Sequence, residues 1–310
     1  MNESYRTLVI VNPCSGNGST GRRWRSFEKR LGQVISDFDV VHTTDRGHAT
    51  ELSSQGLRDG YQMIVAVGGD GTVHEVVNGF FDEAGQVIGQ PVLGLMPAGT
   101  GGDYRKLWGL SSDTFESIDR LGGKDVQLID AGKVTWNNEA GQEQRRYFAN
   151  IASVGLGGAV SKQANEQSKI LGGKASFFIA SARALLRHNN KDLTIETDGQ
   201  SPRQALITMA AFCIGRYFGG GMMVAPNADP SDGLLDVVTV ENATRLEMIA
   251  MTSIYKGEHL DHPKVQWWQG AEVLVSNNNS DECLIELDGE IYGTLPARFS
   301  VLHQAFNIKI

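Results

Sequence analysis

The stretch that most limits what this chain can become is Ile64-Val65-Ala66-Val67-Gly68-Gly69-Asp70-Gly71-Thr72-Val73-His74-Glu75. Four consecutive apolar residues suit a strand buried on both faces of a parallel sheet. The glycines let the backbone approach a ligand, Thr72 is placed to cap a following helix, and amides at a helix N-terminus attract anions. The pattern predicts a strand, a turn and a helix that bind phosphate. Asp70 is the discordant member, because a carboxylate beside a polyphosphate is repelled unless a metal ion offsets its charge or it accepts a proton. A plain glycine turn with a capping Asp or Thr is the alternative for this motif on its own.

The same texture recurs through the first third of the chain. Leu8 to Val11 reads as a strand that enters the polar turn Asn12-Pro13-Cys14-Ser15-Gly16-Asn17-Gly18, and a helix carrying Trp24, Phe27 and Leu31 follows. The Lys of a GxxxxGK[ST] phosphate loop is missing, which weakens a Walker-type reading. Phe38 to His42 ends at Thr43-Thr44, and Val92 to Met96 ends at Pro97-Ala98-Gly99-Thr100-Gly101-Gly102-Asp103. Four strand ends therefore carry polar or glycine-rich loops. In an open parallel sheet ligands bind beyond the carboxyl ends of the strands, so the set says more than any one loop. Alternating strands and helices to about residue 122 predict a layered α/β domain.

From about Asp125 the chain changes to short alternating apolar segments, including Val126–Ala131, Arg146–Ala152, Leu193–Thr197, Ala205–Ile214 and Leu234–Val240. These predict an antiparallel β-sandwich. An amphipathic helix is expected over Lys174–His188, with Phe178, Ala182, Leu185 and Leu186 on one face and Arg183 and Arg187 elsewhere. It either packs on the sandwich or forms a basic, apolar lid that touches lipid. The expected division is 1–124 for the α/β domain and 125–302 for the sandwich, with 303–310 packing back on the first domain.

Composition narrows the functional classes. Hydrophobic residues make up 41% and charged residues 21% of 310, with a net charge of −8, which suits a folded soluble protein and not a broad basic nucleic-acid binder. Cys14, Cys213 and Cys283 lack CxxC spacing, so neither a disulfide framework nor a thiolate zinc site is indicated. The opening residues carry no basic and apolar signal segment, and no run reaches the roughly 18–20 apolar residues needed to span a bilayer. Cytoplasmic location with at most peripheral contact with the inner face of the membrane is expected. A sandwich edge can pair with a second copy, as in a homodimer, or be capped, and the sequence does not choose.

Two later stretches carry carboxylates. The turn Asp229-Pro230-Ser231-Asp232-Gly233-Leu234 offers a hard cation the Asp232 side chain and main-chain carbonyls, or is only a turn. Leu287-Asp288-Gly289-Glu290 reads as an Asp-Gly hairpin, and spacing alone does not separate a base from a turn residue there.

Together NPCSGNG (12–18), GGDGTVHEVVNG (68–79), PAGTGGD (97–103), FGGGMMVAPNADPSDGLLDV (218–237), YKGEHLDHP (255–263) and LDGE (287–290) resemble the diacylglycerol kinase catalytic-domain family. The likeness is closest to the soluble bacterial lipid kinases of the YegS and DgkB type and covers nearly the whole chain. It implies a two-domain lipid kinase: an N-terminal α/β domain like those of NAD kinases and phosphofructokinases, a C-terminal antiparallel β-sandwich with a helical insertion, and an active site in the cleft. The implied reaction moves the γ-phosphoryl group of ATP, with Mg²⁺, to a lipid hydroxyl of a diacylglycerol, sphingoid or phosphatidylglycerol-like acceptor. By the same resemblance Asn12, Pro13, Cys14, Ser15, Gly16, Thr43, Gly68, Gly69, Asp70, Gly71, Thr72, Val73, His74 and Thr100 match nucleotide-binding positions. Asp70 matches the acid near the phosphates and metal. Asp232, with the main chain at Asp229 and Leu234, matches a structural Mg²⁺ site, and Glu290, with Asp288 beside it, matches the proton acceptor. The chain departs from the family at Gly102, where Asn is common. An NAD-kinase-like enzyme and a nucleotide-binding regulator without catalysis are the rival readings.

Overall fold

The computed structural model describes residues 5–99, 102–167, 185, 188–279 and 281–310. By internal contacts the chain divides into two units, Met1–Ile129 with Gln304–Ile310, and Asp130–His303.

The first unit contains β1 (Thr7–Val11), α1 (Ser19–Val34), β2 (Phe38–His42), α2 (His48–Arg58), β3 (Met63–Gly68), α3 (Asp70–Asn78), β4 (Val92–Pro97), α4 (Asp103–Leu107) and α5 (Thr114–Leu121). β1 pairs in parallel with β2 on one side and β3 on the other, and β3 pairs in parallel with β4. The order β2-β1-β3-β4 thus reverses direction after β2, which makes the gap between β1 and β3 a topological switch point. Both faces of this sheet are covered, which is why its strands are continuous apolar runs. On one face Trp24, Phe27 and Leu31 of α1 join Ile118 and Leu121 of α5 against Val9, Val11, Val65 and Val67. On the other, α2 lies so close that a Cβ on Gly56 would stand 2.5 Å from Leu8 Cδ2. The C-terminal residues close this sheet, with Asn307 and Ile308 paired in parallel to Val92 and Leu93.

The second unit takes up β5 (Val126–Asn137), β6 (Glu143–Phe148), β7 (Ile151–Gly155), α6 (Leu156–Gln167), β8 (Lys191–Thr197), β9 (Arg203–Cys213), β10 (Tyr217–Phe218), β11 (Met222–Met223) and β12 (Leu235–Glu241). It continues with α7 (Arg245–Ala250), a 3₁₀ turn at Thr252–Lys256, β13 (Val265–Gly270), β14 (Glu272–Asn277), β15 (Leu284–Leu287), β16 (Glu290–Thr294) and β17 (Ala297–Lys309). Its pairings are antiparallel, in the order β16-β15-β7-β9-β8-β14-β17, with β12 joining β9 to β13. The apolar run expected over Ala205–Ile214 is β9, whose alternate residues feed two cores. Ala210 and Phe212 face one that contains a stacked Phe212–Phe299 pair, whereas Met209, Ala211 and Cys213 face the other, with Val224 and Val238.

Two sequence expectations need correction in detail. Arg146–Ala152 is not one strand: β6 ends at Phe148 and β7 begins at Ile151, because the amides of this step are drawn to a carboxylate described below. Thr72 does not cap α3. The helix starts at Asp70 with Gly69 as its N-cap and no side-chain cap, and Thr72 lies inside the first turn. The helix expected over Lys174–His188, with its residues Phe178, Ala182, Arg183, Leu186 and Arg187, falls outside the described residues apart from Leu185 and His188.

Candidate functional site

Three of the first unit's turns meet backbone to backbone at the switch point. Asn12, immediately after β1, donates its amide nitrogen to Val67 O at 3.0 Å and its side-chain Nδ2 to Thr72 Oγ1 at 3.1 Å. The β1 loop is thereby fixed to the β3 turn. A Cβ on Gly99 would lie 2.4 Å from Gly69 Cα, and one on Gly16 would lie 2.7 Å from the Ala98 carbonyl oxygen. Contacts this close exclude any side chain, so glycine is required by space as well as by the positive φ of 57° at Gly16. Thr20 Oγ1 donates to the same Ala98 carbonyl at 3.2 Å and lies 2.6 Å from Ser15 Oγ. At the end of β2, the Thr43 amide donates to Val11 O at 2.9 Å. Glu75, a residue sequence reasoning passed over, accepts the amides of Gly47 and Ala49 at 2.9 and 3.2 Å and so satisfies the start of α2 from α3.

Asp70 opens α3, where a negative side chain complements the helix dipole. Its Oδ2 accepts the amides of Gly102 and Asp103 at 2.9 and 3.2 Å. Burial raises its pKa and the neighbouring Asp103 charge adds to the rise, against the lowering effect of those amides. Gly102, the departure from the family pattern, adopts φ 98° and presents its amide to the aspartate, so main chain now holds Asp70. Among the other expected residues, Pro13 O accepts the Gly21 amide, Cys14 is an exposed free thiol whose amide donates to Asn12 Oδ1, and Thr72, Val73 and His74 are buried. Thr100 lies outside the described residues. α3 presents first-turn amides that no side chain caps, beside a cradle of glycine main chain, and this is an arrangement suited to a polyphosphate.

The second unit's carboxylates sit on the β15–β16 hairpin. Asp288 and Gly289 both have positive φ, 49° and 96°, as a two-residue type I′ turn requires, and Leu287 pairs with Glu290 across it. The Asp288 carboxylate accepts three consecutive main-chain amides: Ala149 on Oδ2 at 3.0 Å, and Asn150 and Ile151 on Oδ1 at 3.1 Å each. Those bonds end β6 and turn the chain into β7. Glu290, the first residue of β16, is partly exposed. Directly behind them Glu286, which sequence reasoning treated only as part of the strand, is wholly buried and bonded to Ser153 Oγ and the Gly289 amide.

Asp229, Asp232 and Leu234 share one loop. Asp229 Oδ1 accepts from Ser231 N and Oγ, and Asp232 accepts from Leu234 N at 2.9 Å and Gln269 Nε2 at 3.2 Å. Asp130, fully buried and missed in the sequence, anchors the loop through the Gly233 amide at 2.8 Å and the His303 ring at 2.9 Å. Burial raises the pKa of Asp232, and the like charges of Asp229 and Asp130 add to it, a repulsion that a cation would relieve. Among the described residues no three His, Cys, Asp or Glu side chains converge as metal ligands. The donor set therefore fits only a hard cation completed by main-chain carbonyls and water.

Residues 6–134 match the diacylglycerol kinase catalytic domain, and residues 150–310 match the YegS C-terminal NAD kinase β-sandwich-like domain. A diacylglycerol kinase of Staphylococcus haemolyticus is 30% identical over 293 residues, covering 94% of this chain and 84% of that protein. One from Bacillus subtilis is 28% identical over 312 residues, covering 98% and 95%. Among solved structures, a diacylglycerol kinase from Bacillus anthracis superposes over 100% of this chain and 98% of its own with a TM-score of 0.71 at 20% identity. A yeast NADH kinase bound to NADH covers 99% of this chain and 83% of its own at TM-score 0.55 and 11% identity, so both structures speak to the fold. The two matched regions lie in family order along most of the chain, and with a relative 30% identical over 94% of it they show that the chain belongs to the diacylglycerol kinase family and is an ATP-dependent lipid kinase.

Proposed function

We propose that the enzyme transfers the γ-phosphoryl group of ATP to the free hydroxyl of a diacylglycerol, with Glu290 as the base that takes the hydroxyl proton. The observation that carries the nucleotide half is the junction of the Asn12, Gly69 and Gly99 turns around Asp70. Phosphoryl transfer asks mainly for positioning and charge neutralisation, which main-chain amides supply without a covalent nucleophile. Asn12 to Gly16, Thr43, Gly68 to His74 and Thr100 bind the nucleotide in this reading. Mg²⁺ supplies neutralisation of the phosphate charge when bound, with Asp70 as the acid beside it and the Asp229–Leu234 loop as a second, structural cation site. Between the two hairpin carboxylates, Glu290 is favoured as base because Asp288 already serves three amides. Diacylglycerol in detergent micelles is expected to raise ATP consumption. Phosphorylation of NAD with no response to any lipid overturns the proposal in favour of an NAD kinase.

The acceptor is carried by a membrane, and we place the contact on α7 and the turn after it. α7 buries none of its residues, and Leu246, Ile249 and Tyr255 are 78%, 63% and 57% exposed. Arg245 and Lys256 flank them, which suits anionic headgroups. Glu247 is turned away to Lys264 Nζ at 2.7 Å and to the Thr244 amide. Among the described residues no helix is long and apolar enough to cross a bilayer. Co-sedimentation with phosphatidylglycerol vesicles is expected to fall about tenfold in Leu246→Ser/Ile249→Ser, the loss of two inserted aliphatic chains. Unchanged binding removes the contact from this face.

A further inference from the structure

The hairpin that carries Glu290 rests on a carboxyl group to which the established activity assigns no role. Glu286 is wholly buried on β15, where the pairing with β16 shifts register between Ile285 and Glu286. One of its oxygens bonds Ser153 Oγ on the neighbouring strand β7, and the other accepts the Gly289 amide at the apex of the turn. The site is sealed by the start of α6, since a Cβ on Gly157 would lie 2.1 Å from Ser153 Oγ. Two carboxyl groups thus hold one turn, Asp288 from within it and Glu286 from the strand that leads into it. Asp288 fixes it outward to residues 149–151, and Glu286 fixes it inward to Ser153.

We propose that Glu286 is a positioning residue that pins the Asp288-Gly289 turn and so sets the place of Glu290. This rests on the reading of Glu290 as the base. Both partners donate to the carboxyl group, the Gly289 N–H to one oxygen and the Ser153 O–H to the other, so the bonds that pin the turn favour its charge while burial opposes it. The ionised form would put a charge into a dry site already facing Asp288 and Glu290. Among the described residues the titratable groups that act on it, or feel it, are those two carboxylates and the buried Cys213 thiol. Among the described residues no cation acts on it to offset a charge, and burial holds its pKa up at about 8. Loss of that proton at higher pH puts a negative charge beside Asp288 and Glu290 and repels those carboxylates, displacing the turn that carries them.

The test uses the full chain with and without Glu286→Gln, whose amide oxygen still accepts the Gly289 N–H and whose NH2 meets Ser153 Oγ, without a titratable proton. Infrared difference spectra of the enzyme alone are expected to show an un-ionised carboxyl band at about pH 6 that fades above about pH 8 and is missing in Glu286→Gln. In lipid phosphorylation, wild-type kcat is expected to fall by roughly tenfold per pH unit above that point, with KM for ATP unchanged. Glu286→Gln keeps wild-type kcat near neutrality and loses that alkaline decline. Glu286→Ala, which leaves the Gly289 amide without a partner, is expected to lower kcat at every pH. An identical alkaline limb in Glu286→Gln, or no carboxyl band belonging to Glu286, overturns the inference. Full turnover in Glu290→Gln overturns instead the base assignment, and the spectrum separates the two because it requires no turnover.

Discussion

Glu290→Gln is expected to lower the rate of lipid phosphorylation by about 10²–10⁴-fold, the span that a positioned general base contributes. The substitution keeps the size and most of the hydrogen bonding of the side chain but removes its capacity to take a proton. Because Glu290 is partly exposed at the start of β16 and the turn before it is held by other residues, melting temperature is expected to change by no more than a degree or two. The affinity for ATP should remain as in the wild type, since the glycine turns belong to a separate unit. A rate within threefold of wild type would show that the hydroxyl proton leaves by another route.

Asp288→Ala is expected to produce the opposite signature, a loss of stability that drags activity with it. The substitution strands three buried or half-buried amides at Ala149, Asn150 and Ile151 and places Ala at a φ of 49°. A buried donor left without a partner costs about 1–3 kcal/mol, so the sum is on the order of 3 kcal/mol or more. At roughly 2–4 °C per kcal/mol for a domain of this size, the melting temperature should fall by about 10 °C. Residual turnover measured well below that temperature should exceed that of Glu290→Gln. An Asp288→Ala enzyme that is as stable as wild type yet inactive would assign the base to Asp288.

The sequence spoke most clearly where main chain does the chemistry. Gly68, Gly99 and Gly16 announce loops that no side chain can occupy, and the structure shows the contacts that forbid one. The apolar run of β9 was equally visible, although its reason, burial on both faces, required the second core around Val224 and Val238. Carboxylates were harder to sort. Asp288 and Glu290 are two residues apart and alike on paper, and only the fold brings the amides of residues 149–151 to one of them. Glu286 looked like an ordinary strand residue because nothing in Leu284-Ile285-Glu286-Leu287 reveals that Ser153 stands opposite. Asp130 and Glu75 were invisible for the same reason, as each satisfies main chain far away in sequence. Thr72 misled in a different way: its hydroxyl is taken by Asn12, so the capping preference of threonine lost to a tertiary hydrogen bond.

The most direct measurement is the fate of the label after the enzyme meets γ-phosphate-labelled ATP, Mg²⁺ and a total lipid extract. Label is expected in the organic phase on a phosphorylated diacylglycerol, and that product should be absent with Glu290→Gln at equal ATP binding. Label that stays in the aqueous phase as free phosphate or on a soluble acceptor, with every lipid unmarked, would contradict the account.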